Sequence, residues 1–248
     1  MANAMAIEGK KPFVSIYSTF LQRGYDQVQQ DIARMNLPVV IGIDRAGIVG
    51  EDGETHQGIY DISYLSHIPN LVIMAPHNAK EAGDLLYTAF QLNKPVAIRY
   101  SRKKIEYTED KNEKIKLGTW EELSKGKDGT IITYGDFIGN AIKVKENLKE
   151  ENIDIGIVNA RFIKPFDKSM YEEILNRNKP IFIYEETAEI GSLGERLCRY
   201  AVNKNYKNNI TTFSIEDKFI EQGSPEQVLK KLELDVDSIT NKIKDKLK

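Results

Sequence analysis

The 248-residue chain has one cysteine, one tryptophan and three histidines, and each scarcity closes off a class of explanation. A lone Cys198 can form no internal disulfide, so the core has to hold the fold and a reducing, cytoplasmic setting is the expectation. Within "GERLCRYAV" it reads as a small buried apolar residue. The histidines, at 56, 67 and 77, are scattered, and no carboxylate cluster has ligand spacing, so no metal site is expected in this chain. No apolar run approaches the roughly 20 residues that span a bilayer. The opening "MANAMAIEGKKP" lacks the apolar stretch of a signal peptide and runs quickly into a strong strand, as if entering a fold in progress. Neither sign of charge dominates: 35 Lys and Arg against 37 Asp and Glu leave a net −2. That balance argues against nucleic acid or an anionic membrane as partner. There is no G-x-G-x-x-G after a strand and no Walker loop.

What is present is an alternation of two periods. "PFVSIY" (12–17), "PVVIGI" (38–43), "LVIMA" (71–75) and "PVAIRY" (95–100) are short Val/Ile-rich runs that suit strands covered on both faces. Between the first two, Leu21, Tyr25, Val28, Ile32 and Met35 recur on one helical face, with Thr19 and Gln22 at capping-box spacing. "NAKEAGDLLYTAFQL" (78–92) opens with Asn78 and Glu81 in the same arrangement. After a charged stretch from about 103 to 128, with a short strand expected near Leu117, the alternation restarts at "TIITYG" (130–135), "IDIGIVNA" (153–160), "PIFIYEE" (180–186) and "NITTFSIED" (209–217). The expected fold is α/β, with two domains of mainly parallel twisted sheets flanked by helices. Their bounds read as 1–115 and 128–248, joined by a linker at 116–127.

In open parallel sheets, ligands bind beyond the C-terminal ends of the strands. That places Tyr17, Ser18, Thr19, Phe20 and Arg23 after the first run, and "DRAGIVGEDGETHQG" (44–58) after the second. His77 follows the third; Arg99 and Arg102 end the fourth. Arginine forks capture phosphate or carboxylate, and a histidine moves protons near neutrality. Bland readings stay open: Phe20 as core, Asp44 and Arg45 paired with each other, His56 closing a turn, His67 structural. Spacing alone therefore reaches an α/β protein with an anion-binding edge.

"YSTFLQRGYDQ" (17–27), "DRAGIVGEDGETHQGIYDISYL" (44–65), "IPNLVIMAP" (68–76) and "IRYSR" (98–102) resemble the 1-deoxy-D-xylulose-5-phosphate synthases, a branch of the transketolase-like enzymes that use thiamine diphosphate. "ARFIKPFD" (160–167), "YEET" (184–187) and "FIEQGSPEQ" (219–227) agree. The resemblance implies a pyrimidine-binding domain followed by a transketolase C-terminal domain. It implies that Phe20 stacks on the cofactor's aminopyrimidine with Arg23 lining the site nearby. It assigns Tyr17, Arg45 and Arg102 to the phosphate of glyceraldehyde 3-phosphate, and Asp52 and His56 to orienting substrate and handling protons at the reacting carbons. The implied reaction is decarboxylation of pyruvate and transfer of its two-carbon unit to the aldehyde, feeding isoprenoid, thiamine and pyridoxal synthesis.

The sequence also departs from that family. Members are much longer; nothing here matches the segment that binds magnesium and diphosphate, so the Mg2+ site is expected outside this chain. The glutamate that activates the aminopyrimidine has no counterpart, and Glu8 lies too close to the first strand to take its role. The expectation is the C-terminal part of such an enzyme, either a piece cut from a longer chain or one half of an enzyme split over two chains, the partner chain then carrying the N-terminal diphosphate-binding domain. Alone it is expected to fold and form a homodimer but not to turn over. Two other readings are a subunit of another transketolase-type enzyme and a non-catalytic assembly or regulatory module of the same fold.

Overall fold

The computed structural model describes residues 1–105 and 111–248; part of the charged connecting stretch, 106–110, lies outside the described residues. A short helix, α1 (Ala2–Ile7), precedes β1 (Phe13–Tyr17), and β2 (Val40–Asp44), β3 (Val72–Met74) and β4 (Val96–Arg99) follow in a parallel sheet ordered β1-β2-β4-β3. Strands β2, β3 and β4 are buried on both faces because helices cover them, as near-continuous Val/Ile segments require. Strand β1, at the sheet edge, departs from that expectation, being only partly covered with Phe13 exposed. In the second half, β5 (Glu121–Ser124), β6 (Gly129–Thr133), β7 (Ile155–Asn159), β9 (Ile181–Ala188) and β10 (Ile210–Ile215) form a sheet ordered β10-β9-β6-β7-β5, antiparallel only at β5. The remaining strand, β8 (Phe162–Lys164), crosses back and pairs antiparallel with β3. Through it, and through a core cluster running from Leu21 and Met74 to Phe162, Tyr171 and Leu197, the two sheets share buried surface.

Helix ends follow the side chains that cap them. In α4 (Ala79–Gln91), Asn78 accepts from the Glu81 N–H, and in α6 (Lys168–Asn176) Asp167 accepts from the Met170 N–H. Ser192 does the same for α7 (Leu193–Asn203), and Ser224 with Gln227 forms a full capping box on α8 (Pro225–Lys231). Two further long helices, α5 (Phe137–Glu150) and α9 (Val236–Leu247), pack on each other over the second sheet.

The structure departs from the sequence reading in several elements. The segment after β1 is not one α-helix capped by Thr19: α2 (Ser18–Leu21) starts directly from Tyr17 without a side-chain cap, becomes a 3-10 turn at Gln22–Gly24, and continues as a π-helix over Gln27–Ala33. The wider π turn keeps Val28 and Ile32 on the buried face and leaves Met35 exposed, outside the predicted stripe. The strand expected near Leu117 forms instead at Glu121–Ser124. Gly118, at φ +73°, turns the chain first, and Trp120 is then buried with its Nε1–H donating to Phe162 O at 2.8 Å. Elements that the sequence reading did not include are α1, β8 and α3 (Asp61–Leu65).

Candidate active site

Strand β2 ends at Asp44, and the next residue, Arg45, adopts φ +55°, which a side chain other than glycine rarely takes. Its own N–H donates to Asp44 Oδ1 at 2.7 Å, which holds the turn. That turn sends the Arg45 guanidinium back over the end of β1, 3.9 Å above the centre of the Tyr17 ring. The Tyr17 ring stacks on Phe20 at 5.1 Å and 13°, and Phe20 meets the His56 ring edge-on at 5.6 Å. The loop 45–58 thus closes on the first turn of α2 through an aromatic ladder of Tyr17, Phe20 and His56.

The loop closes on itself as well. Gly47 and Gly58 form an isolated antiparallel bridge, each N–H donating to the other's carbonyl at 2.7 and 2.8 Å. A Cβ on Gly58 would run into the Arg45 carbonyl, so glycine is required for this approach. Two 3-10 turns, Gly50–Asp52 and Glu54–His56, then carry Asp52 and His56 to the front.

Asp52 stands between two arginines. Its Oδ2 lies 3.4 Å from Arg45 Nε, and its Oδ1 accepts from Arg102 Nη1–H at 3.0 Å. Arg45 also reaches Asp44 Oδ2 at 3.1 Å. Two guanidinium groups therefore converge on one carboxylate at the rim, an arrangement able to receive a phosphate. The His56 Nδ1 is hydrogen-bonded to the Thr55 hydroxyl at 3.0 Å, and its other ring nitrogen has no partner among the described residues. Asp52 and His56 share no direct hydrogen bond. Six of the seven sequence candidates, Tyr17, Phe20, Arg45, Asp52, His56 and Arg102, thus form one contiguous group. Arg23, exposed on the 3-10 turn, makes no hydrogen bond, ion pair or ring contact with them.

Two residues placed on the anion-binding edge belong to the framework instead. Arg99 is buried, its Nε and Nη2 donating to the two oxygens of buried Asp61 at 2.9 and 3.3 Å. The carboxylate of Asp61 raises the guanidinium pKa further, against burial, so Arg99 stays charged. Its guanidinium lies 5.6 Å over the Tyr134 ring, whose hydroxyl donates to buried Glu185 Oε2 at 2.9 Å. Glu185 in turn accepts the Leu193 and Gly194 N–H groups at the start of α7. Burial pushes the Glu185 carboxyl up while these donors oppose it. His77 is likewise committed, its Nδ1 2.7 Å from Glu81 Oε2, with Asn159 Nδ2–H donating to Glu81 Oε1 at 2.9 Å. That hydrogen bonding holds the buried Glu81 carboxyl below its ordinary value against burial, the largest influence.

Sequence reasoning did not single out Asp61, Gln57 or Glu186. Asp61 carried no signal separable from helix-start chemistry. Glu186 lay within the quoted "YEET", but nothing in its spacing pointed to a loop more than a hundred residues away.

Two mainly parallel sheets sharing a core, with a polar loop at one sheet's C-terminal edge, fit a transketolase-type architecture, and the family comparisons agree. Residues 1–108 match the transketolase pyrimidine-binding domain and residues 118–239 the transketolase C-terminal domain. The chain belongs to the transketolase-like proteins through both domains. Among curated relatives, the 1-deoxy-D-xylulose-5-phosphate synthases of Bacillus mycoides (strain KBAB4) and Bacillus cereus (strain B4264) are 44% and 43% identical over 98% of this chain. The chain spans 39% of the length of each. Solved structures share the fold at lower identity. A split gene transketolase, described as an inactive beta4 tetramer, superposes with a TM-score of 0.86 at 23% identity, over 99% of this chain and 79% of that one. A transketolase from Campylobacter jejuni superposes at 0.78 and 20%, over 98% of this chain and 37% of that one.

Proposed function

We propose that the chain furnishes the aminopyrimidine platform and the acceptor-phosphate site of a 1-deoxy-D-xylulose-5-phosphate synthase, condensing pyruvate with glyceraldehyde 3-phosphate. The observation that carries this reading is Asp52 bridging Arg45 and Arg102 beside the Tyr17–Phe20–His56 ladder. An incoming phosphate replaces the Asp52 carboxylate between the two guanidinium groups, which frees Asp52 to turn toward the acceptor hydroxyls. Arg45, stacked on Tyr17, is already fixed in place and loses little freedom on binding. His56, with Nδ1 tied to Thr55, presents its other ring nitrogen as the group that takes or gives a proton at the aldehyde oxygen.

The residues present fit one part of thiamine diphosphate. Phe20, 45% exposed, offers an aromatic surface for the aminopyrimidine ring. Among the described residues no three His, Cys, Asp or Glu side chains gather where a metal ion could sit. When bound, the cofactor supplies the electron sink for decarboxylation. Diphosphate and Mg2+ binding fall to an N-terminal domain of the same enzyme, carried on the same polypeptide or on a partner chain, and the assembled enzyme is a homodimer in the cytoplasm.

Titration with glycerol 3-phosphate and with glycerol tests the acceptor site directly. Binding of the phosphate ester alone, weakened tenfold or more by Arg45→Ala and by Arg102→Ala, is the expected result. Equal affinity for both ligands would refute it.

A further inference from the structure

Three consecutive amides of the loop, those of Ile48, Val49 and Gly50, are paired by side chains rather than by strand or helix neighbours. Gln57 Oε1 accepts from Val49 at 3.0 Å and from Gly50 at 3.4 Å, a clamp within the loop itself. The Ile48 N–H donates at 2.9 Å to Glu186 Oε1, at the far end of β9 in the second sheet. Gly47, at φ +86°, makes room for that carboxylate: a Cβ there would collide with it. Gly47 is also one half of the Gly47–Gly58 bridge that closes the loop two residues from Arg45. One carboxylate from the second half therefore braces the closure on which Arg45 stands. The same half adds Gln222 Nε2–H donating to Glu51 O at 3.1 Å, and presses Gly223 and Pro225 against Gly50.

Glu186 makes no salt bridge among the described residues. Burial pushes its carboxyl up to about 7; Asp136 adds to the rise, while the Ile48 N–H, Arg99 and Lys103 oppose it. Its carboxylate lines a cavity of about 530 Å3 between the two halves, shared with Arg102, Lys103 and Asp136. Removing a carboxylate from water without a counter-charge is costly. Glu186 is partly buried, and by accepting an otherwise orphaned loop amide its carboxyl offsets that cost.

We propose that Glu186 is a positioning residue for the acceptor-phosphate site: from the second sheet it fixes the loop 44–58 so that Arg45 and Asp52 keep their register with Tyr17 and Arg102. The role in substrate binding rests on the function proposed above; the role in holding the loop does not. The experiment is hydrogen exchange on the full chain, read for peptides spanning 44–58 and for those elsewhere. Glu186→Ala raises exchange in that loop about tenfold and leaves β3, β4 and α5 protected as before. Glu186→Gln, whose carbonyl can still accept from Ile48, restores most of the protection, which a general loss of packing would not. In parallel, glycerol 3-phosphate affinity falls in Glu186→Ala and recovers in Glu186→Gln. Unchanged loop exchange in Glu186→Ala, or failure of Glu186→Gln to restore it, overturns the proposal. If the wild-type chain shows no affinity for glycerol 3-phosphate, the functional reading fails while the exchange result still decides whether Glu186 holds the loop.

Discussion

The Asp61–Arg99 pair beneath the loop allows a quantitative test of how the site is supported. Both side chains are almost wholly buried, at 1% and 6% exposure, and they meet through two hydrogen bonds of 2.9 and 3.3 Å. Asp61 Oδ1 also accepts the Ile62 N–H at 3.0 Å. Asp61→Ala strands a guanidinium that cannot give up its proton, in surroundings too dry to solvate it. Breaking such a buried pair from one side costs about 3–5 kcal/mol. At roughly 2–4 °C per kcal/mol for a chain of this size, the melting temperature falls by about 6–20 °C. The rim pair is the control: Arg102 is half exposed, so Arg102→Ala costs under about 1 kcal/mol. Urea unfolding at pH 7 reads both, as a shift in midpoint at constant slope. The double variant Asp61→Leu with Arg99→Met, which removes both charges, recovers most of the loss. A midpoint for Asp61→Ala within about 1 kcal/mol of wild type would refute the reasoning, because the guanidinium would then have found water or another partner.

Two further outcomes follow from the site. The Glu186 carboxyl is raised from 4.5 to about 7, so the folded state holds its proton more tightly than the unfolded chain. Its contribution to stability is present below pH 4.5 and is lost as pH rises through 7; in unfolding curves from pH 4.5 to 8, Glu186→Gln removes that part of the slope. Phe20→Ala changes stability little, since the ring is half exposed, but lowers thiamine diphosphate affinity of the assembled protein about tenfold; Phe20→Tyr retains it, and equal affinity in all three proteins would exclude the ring as a cofactor platform.

Much of the fold was legible because buried parallel strands leave a near-continuous Val/Ile signature. Strands β1, β3, β4, β7 and β10 lie within the apolar runs read from sequence, and β2, β6 and β9 coincide with theirs to within one or two residues. Strand β8 was not legible: three residues of "RFIKP" join a sheet built by the other half, and a pairing across that distance leaves no local period. The π-helix after α2 escaped for a related reason, since Leu21, Val28 and Ile32 satisfy an α-helical stripe almost as well. At the site, chain position after each strand was sufficient to gather Tyr17, Phe20, Arg45, Asp52, His56 and Arg102. It could not tell Arg102, at the rim, from Arg99, three residues earlier and buried on Asp61. That difference depends on Asp61 at the start of α3, and so on tertiary packing. Glu186 was invisible for the same reason, being separated from Ile48 by 138 positions.

Supplying the rest of a relative's length in trans tests the central claim most directly. The chain is mixed with a protein covering the remaining length of a 1-deoxy-D-xylulose-5-phosphate synthase relative, with thiamine diphosphate, Mg2+, pyruvate and glyceraldehyde 3-phosphate. Deoxyxylulose phosphate is predicted only when both chains are present, with unphosphorylated glyceraldehyde a poor acceptor and the preference for phosphate lost in Arg45→Ala and Arg102→Ala. Product formed by this chain alone, or equal use of the two acceptors by the pair, would contradict the account.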